Sequence, residues 1–358
     1  MSALPRPVAP HAEVALVVLG HGGVGRALLH FLARPAAAAL QLVGVADSTR
    51  QVASPHGLVP AQVPFRLAAR QPRSDAALLA ALDASGARRR VIVDATAAET
   101  VAARHAGWLA AGYDVVSANK AALGGCHAGW TAIRRAEQGG TRYGDAATVG
   151  AGLPVLQTLR RLRECGDRLL AIEGVLSGSL SWLFNRFDGS RPFSELLRQA
   201  HAAGYTEPDP RLDLGGADVA RKLLILARSA GHALEPADVV VEGLVPAPLR
   251  TPGVAEFLAR ANELDAALEA RRVAAAARGE VLRFIGTLDA EGRARVGLAT
   301  LPQGHPAARL AGTDNLFVLH TQRYRPQPLV IQGPGAGREL TAQALLGDLL
   351  VLVARRAA

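Results

Sequence analysis

The most restrictive stretch of the chain is Val14-Ala-Leu-Val-Val-Leu19 running into Gly20-His-Gly-Gly-Val-Gly25. An apolar run without alternation suits a strand buried on both faces, as in a parallel sheet. The residues that follow, Arg26-Ala-Leu-Leu-His-Phe-Leu32, have helical periodicity. Strand, glycine turn and helix, in that order, form the setting in which the pyrophosphate of a dinucleotide is bound. Gly20 permits the tight turn, Gly22 lets the backbone reach the phosphates, and Gly25 lets helix and strand approach. Free N–H groups and the dipole at the helix start hold the anion, so Gly23 and Val24 belong to the same site. A second strand, Leu40–Ala46, ends at Asp47. That is the usual distance for an acid that accepts the hydroxyls of the adenosine ribose.

Asp47 favours NAD, because a carboxylate repels a 2′-phosphate. Arg50 stands close enough to serve such a phosphate, or is simply exposed, so NAD and NADP both stay open. Residues 76–86 read as a helix and 91–94 as a further strand, ending in a nucleotide-facing loop with Thr96. Residues 101–112 read as a helix and 114–117 as a strand that runs into Ala118-Asn119-Lys120. Lys120 therefore sits at the C-terminal end of a sheet strand, the edge where open α/β sheets bind ligands. It is either a partner in proton transfer or a fixed cation. After a helix at 129–138, Val149-Gly-Ala-Gly-Leu-Pro154 reads as a crossover with exposed backbone.

The second half changes character. Helices are expected at 156–163, 180–187, 193–203 and 254–277, and strands at 169–176, 280–285, 294–300 and 315–322. This is an α+β pattern with a sheet suited to pairing with a copy of itself. The expected domains are 1–150 for the nucleotide, with residues 330–358 returning to it as a C-terminal helix, and 151–329 for catalysis and dimerisation. The fold class is α/β: a Rossmann-type dinucleotide-binding domain plus an α+β catalytic and dimerisation domain.

Within that half, Gly204-Tyr-Thr-Glu-Pro-Asp-Pro-Arg-Leu-Asp-Leu-Gly-Gly-Ala-Asp-Val-Ala-Arg-Lys222 gathers Glu207, Asp209, Asp213 and Asp218 near Lys222. Pro208 and Pro210 argue against helix at its start, and Gly215-Gly216 reads as a flexible join. A helix from about Ala217 puts Asp218 and Lys222 on one side, four residues apart. Lys222 stands out by composition. Lys plus Arg number 40, yet lysine occurs at Lys120 and Lys222 alone. Arginine stays protonated in proteins, whereas a lysine amine can exchange its proton. The plain alternative is a surface ion pair between Asp218 and Lys222.

The net charge of +9 raises the question of nucleic acid. The arginine clusters at 88–90, 160–161 and 271–272 are separate, and aromatic residues make up 4%, too few for stacking platforms. No nucleic-acid partner is expected. No apolar stretch of about 18 residues suggests a membrane span. The first dozen residues read as a loose lead-in without the apolar core of a secretory signal. Cys126 and Cys165 have neither metal spacing nor the number for a disulfide framework. A cytoplasmic setting is expected.

These residues resemble the homoserine dehydrogenase family. Ala200, Gly204, Pro210, Asp213, Leu214, Gly216, Asp218 and Lys222 fill its signature. Ser117-Ala-Asn-Lys120, Val149-Gly-Ala-Gly-Leu-Pro154, Leu176-Ser-Gly-Ser179 and Gly333-Pro-Gly-Ala-Gly337 match further family motifs in order. The similarity covers essentially the whole chain. From Val149 to about Leu226 it is similar to the dehydrogenase half of bifunctional aspartokinase enzymes. The resemblance implies NAD(P)-dependent interconversion of L-homoserine and L-aspartate 4-semialdehyde, on the route to threonine and methionine, by a homodimer. It implies Gly204 and Gly337 near the cofactor, Glu207 and Asp218 at the substrate, and Lys222 as the proton-transfer residue. From the residues themselves, Asp213 is also expected at the substrate, Asp218 beside Lys222 in catalysis, and Lys120 at the cofactor and in catalysis. The resemblance also implies a sodium ion on the backbone oxygens of Val149, Ala151 and Leu153. An acid is expected three residues before Val149, where Ala146 stands, with Asp145 one place off. No kinase half and no threonine-sensing domain are expected around this chain. The competing readings are another NAD(P)-linked amino-acid or semialdehyde dehydrogenase, and a nicotinamide-binding regulator without catalysis.

Overall fold

The computed structural model describes residues 13–68 and 71–354. The expected lead-in falls outside them. The described residues divide into two compact units, one within 1–122, 128–148 and 337–358, the other within 123–127 and 149–336.

The first unit holds a sheet of seven strands: β1 (Val14–Leu19), β2 (Leu40–Ala46), β3 (Arg50–Ala53), β4 (Gln71–Pro72), β5 (Arg89–Asp94), β6 (Asp114–Ser117) and β7 (Tyr143–Gly144). Their order is β4-β3-β2-β1-β5-β6-β7. From β2 to β7 the neighbours are parallel, while β3 and β4 add an antiparallel edge. Every residue of β1 is buried, as its unbroken apolar run requires. The chain leaves β1 for β2 on one side and returns to β5 on the other. This reversal places a crevice at the C-terminal ends of β1 and β5, where doubly wound sheets take their ligands. The Rossmann-type expectation holds. Arg50 opens β3, a strand too short to show a period in the sequence. The helix expected at 101–112 is broken into Glu99–Ala102 and His105–Ala110, and His105 after the break is fully buried.

The C-terminal helix, Arg338–Ala354, contributes Ala342, Leu345, Leu349 and Leu352 to this unit's core. They join Leu28, Leu29 and Leu32 of the Gly23–Leu32 helix and Val14, Leu16 and Val18 of β1.

The second unit holds six strands: β8 (Leu169–Val175), β9 (Val239–Val241), β10 (Glu280–Asp289), β11 (Ala294–Pro302), β12 (Asp314–Thr321) and β13 (Leu329–Pro334), in the order β13-β12-β8-β10-β11-β9. All neighbours are antiparallel except β11 and β9. Residues 330–336, placed with the first domain on sequence, belong here instead. β13 pairs with β12 from Asp314↔Pro334 to Leu319↔Leu329, and the chain enters the first unit only at Gly337. Residues 123–127 also join the second unit. The buried Arg228 donates to the Leu123 carbonyl at 2.6 Å, and the His127 N–H donates to Glu235 at 2.9 Å. The helix expected at 254–277 is three pieces, Val254–Ala259, a 3-10 turn at Ala261–Leu264, and Asp265–Ala276. Among the described residues no helix is long and apolar enough to cross a membrane.

Candidate active site

In the first unit each glycine of the turn after β1 has its own reason. Gly20 has φ 103°, and a Cβ there would stand 2.8 Å from the Ala95 carbonyl oxygen. A Cβ at Gly25 would land on the Gly20 carbonyl oxygen. The turn itself requires these two. A Cβ at Gly22 would meet nothing within 4 Å. Gly22 borders open space at a helix start, where the first N–H groups have no intrahelical partner. A pyrophosphate fits that description. His21 in the same turn has a buried Nε2 without a partner among the described residues. Burial first, then the Arg26 charge, lower its pKa, with Asp47 pulling the other way.

Asp47 uses one oxygen for its own loop. Its Oδ1 accepts from the N–H of Thr49 at 2.8 Å and of Arg50 at 2.7 Å, and from the Thr49 hydroxyl. Burial pushes its pKa up, but these bonds outweigh it and the carboxyl sits below its usual value. It is a fixed anion with Oδ2 left for an incoming hydroxyl.

At the neighbouring strand ends, a residue absent from the expectations is the hub. Asp94, fully buried at the end of β5, accepts from the Thr96 N–H and hydroxyl at 2.8 and 2.7 Å. Its other oxygen accepts from Asn119 Nδ2 at 2.9 Å and faces His105 Nε2 at 3.0 Å. Asn119 also donates to the Ala98 carbonyl and accepts from the Ala121 N–H. The loops bearing Thr96 and Lys120 are thus tied together by a buried carboxylate. The signal was an acid at the end of an apolar strand, Val91-Ile-Val-Asp94. These residues fit a bound dinucleotide.

In the second unit, Pro210 begins a short helix, Pro210–Leu214, where the sequence reading placed none. Proline is favoured at a first helical position, since its missing N–H has no partner there anyway. Asp209 caps that helix by accepting from the Arg211 N–H at 3.0 Å. Gly215-Gly216 is no flexible join. Gly216 is held at φ 76°, and a Cβ there would stand 3.0 Å from the Phe284 ring. It starts the Ala217–Ala230 helix, whose first turn carries Asp218.

Lys222 is 7% exposed, so the surface-pair alternative fails. Its ammonium donates to the Leu176 carbonyl at 2.7 Å and lies 2.9 Å from Asp218, whose side chain is 49% exposed. Three donors minus two partners leave one N–H. Asp213 Oδ1 accepts from Ser179 at 2.6 Å and its Oδ2 from the Glu207 N–H at 2.8 Å. Burial, then the Asp218 charge, raise its pKa, and those two bonds oppose the rise. Expected at the substrate, Asp213 is engaged in holding the loop that presents the exposed Glu207. Ser177 caps the Gly178–Arg186 helix and contacts Ser179 at 2.9 Å. Leu176-Ser-Gly-Ser179 is therefore the platform under the acidic stretch, a role for which no local pattern speaks. Gly204 has φ 72° with open space at its Cβ position.

Gly150 and Ala151 both have positive φ, 73° and 51°, and Ala151 is the one such non-glycine among the described residues. Val149, Gly150 and Ala151 are buried, so the crossover with exposed backbone expected on sequence is instead packed inside the unit. The Leu153 carbonyl already accepts from the Val155 N–H at 2.8 Å. The acid is missing: Asp145 is ion-paired with Arg134 at 2.8 Å. Among the described residues no group of three or more His, Cys, Asp or Glu could hold a metal. The carboxylate ligand expected for a cation here is not supplied, since Asp145 is engaged by Arg134.

Two family models match the chain, "Homoserine dehydrogenase, NAD binding domain" at residues 20–143 and "Homoserine dehydrogenase" at residues 154–350. A bifunctional aspartokinase/homoserine dehydrogenase 2 of Escherichia coli (strain K12) is 40% identical over 94% of the chain. The chain spans only 43% of that relative's length. A homoserine dehydrogenase of Emericella nidulans is 38% identical over 96% of the chain and 99% of its own. A crystal structure of a protein of unknown function from Candida auris superimposes with a TM-score of 0.89 at 35% identity, covering 96% and 98% of the two chains. With a family model over more than half its length and relatives of this identity, the chain belongs to the homoserine dehydrogenase family.

Proposed function

We propose that this chain interconverts L-homoserine and L-aspartate 4-semialdehyde with NAD(P), serving threonine and methionine synthesis. The observation that carries this reading is the buried Lys222, held by Leu176 and Asp218 with one donor to spare. A bound nicotinamide supplies a hydride acceptor or donor. Lys222 does the proton work: its free N–H protonates the aldehyde oxygen during reduction, and its neutral amine takes the hydroxyl proton during oxidation. Asp218 and Glu207 receive the substrate ammonium, and Asp213 with Ser179 keeps the Glu207 loop in place. Lys120 shares the proton or acts as a fixed cation.

Asp47 supports NAD at least as well as NADP. A cytoplasmic homodimer is part of the proposal. Exposed free cysteines at Cys126 and Cys165 suit a reducing compartment. The second sheet bears an open groove of about 230 Å³ lined by Val240, Ile285, Thr287, Arg295 and Ala299, which a second copy would cover. A sodium ion on Val149, Ala151 and Leu153 would brace the turn, and no proton or hydride step passes through it. Purified protein, L-homoserine and either oxidised nucleotide test the reading by absorbance of the reduced nucleotide. No reduction with either one overturns it.

A further inference from the structure

The Arg338–Ala354 helix starts directly after Gly337, whose φ of 135° suits glycine. Its packing against the Gly23–Leu32 helix brings the two helix starts together. A Cβ at Gly23 would land on Cδ of Arg338, with its Cγ at 2.9 Å and Nε at 3.6 Å. The side chain missing at Gly23 thus makes room for the stem of an arginine. Gly20 and Gly25 are small for the turn and Gly23 for Arg338, while Gly22 borders open space. Arg338 is exposed, and no acid among the described residues pairs with it. Its stem lies at the start of the Gly23–Leu32 helix, and Glu339, the next residue, makes no ion pair with it among the described residues. The N-terminus of its own helix adds dipole of the same sign.

We propose that Arg338 is a further cofactor-binding residue, which binds the pyrophosphate of the dinucleotide. A planar guanidinium offers two parallel donors to phosphate oxygens. The contact with Gly23 assigns it to the pyrophosphate. The ribose and any 2′-phosphate belong to the Asp47–Arg50 loop. NAD and NADP should therefore depend on Arg338 equally. This inference rests on the dinucleotide reading of the same turn.

Calorimetric titration of the full chain tests it without turnover, using ADP-ribose, NADH, NADPH and 2′-AMP. Arg338→Gln is expected to weaken ADP-ribose, NADH and NADPH alike by roughly tenfold, the size of one charge-assisted hydrogen bond. It should leave 2′-AMP within about twofold, since the pyrophosphate is absent from that probe. Arg338→Lys should recover part of the loss, because a point charge replaces the fork. Unchanged ADP-ribose affinity in Arg338→Gln overturns the role of Arg338 alone. An equal loss for 2′-AMP also overturns it, because the arginine would then serve the other phosphate. A wild-type chain that binds no ADP-ribose overturns the dinucleotide reading, and this inference with it.

Discussion

The glycine turn at residues 20–25 and the site around Lys222 are limited by different things, room for a Cβ in one and unspent donors and acceptors in the other. The turn is limited by space: a Cβ at Gly25 would meet the Gly20 carbonyl, one at Gly20 the Ala95 carbonyl, and one at Gly23 the Arg338 side chain. Lys222 reaches Leu176 across 46 residues, and Ser179 reaches Asp213 across 34. In the glycine turn the chain comes close to its own backbone and to the Arg338 stem, so what matters is where a Cβ has room. The site around Lys222 is built from side-chain charge, so what matters is which donors and acceptors are still unspent. A substitution in the first is judged by space and in the second by proton and charge.

The strongest break in that comparison is at Lys222. Lys222→Ala should lower turnover by about a thousandfold or more in both directions, within the range of a positioned acid–base group. Nucleotide affinity and melting temperature should stay near wild type. Lys222→Arg should be nearly as inactive, because a guanidinium keeps its proton. Near-normal turnover in either folded variant would remove Lys222 from the chemistry.

The same alanine at two glycines should separate fold from binding. Gly25→Ala drives a Cβ into the Gly20 carbonyl and should cost about 3 kcal/mol of stability, the scale of overpacking. Gly22→Ala meets open space, so it should unfold at the wild-type denaturant midpoint and yet bind both nucleotides more weakly. Denaturant unfolding and nucleotide titration on both variants decide it. An unstable Gly22→Ala, or a stable Gly25→Ala, would undo the assignment of the glycines.

Lys120 tests whether the nucleotide edge also takes part in proton traffic. Lys120→Ala and Lys120→Arg should each lower turnover by roughly a hundredfold, with much smaller changes in nucleotide affinity. Full activity of Lys120→Arg with an unchanged pH profile would leave Lys222 as the only proton carrier.

The smallest effect belongs to Asp213. Burial, then the Asp218 charge, raise its folded pKa above the usual carboxylate value. The folded state therefore favours its protonated form. Its stabilising contribution is complete below the unfolded value of about 3.9 and is lost as pH rises through the raised folded value. Asp213→Asn cannot ionise and escapes that loss. The stability of wild type relative to Asp213→Asn should fall as pH climbs from about 4, then level off above the raised value. Urea midpoints of the two chains across this range measure it. A difference that does not move with pH, or that grows with it, contradicts the raised pKa.

Apolar runs, glycine spacing and four-residue helical pairing sufficed to read β1, the turn, β2 with Asp47, and the helix carrying Asp218 and Lys222. Each of those determinants lies within a few residues of the feature it sets. Only the tertiary structure decided that Lys222 is buried against Leu176, that Asp213 serves its own loop, and that the Phe284 ring leaves no room for a Cβ at Gly216. It alone moved residues 330–336 into the second unit and laid Arg338 over Gly23. Those outcomes depend on which distant residues sheet register and helix packing bring within about 3 Å, where hydrogen bonds form. No pattern confined to neighbouring residues carries that information, because the partner of each group is chosen by the packing of the whole unit.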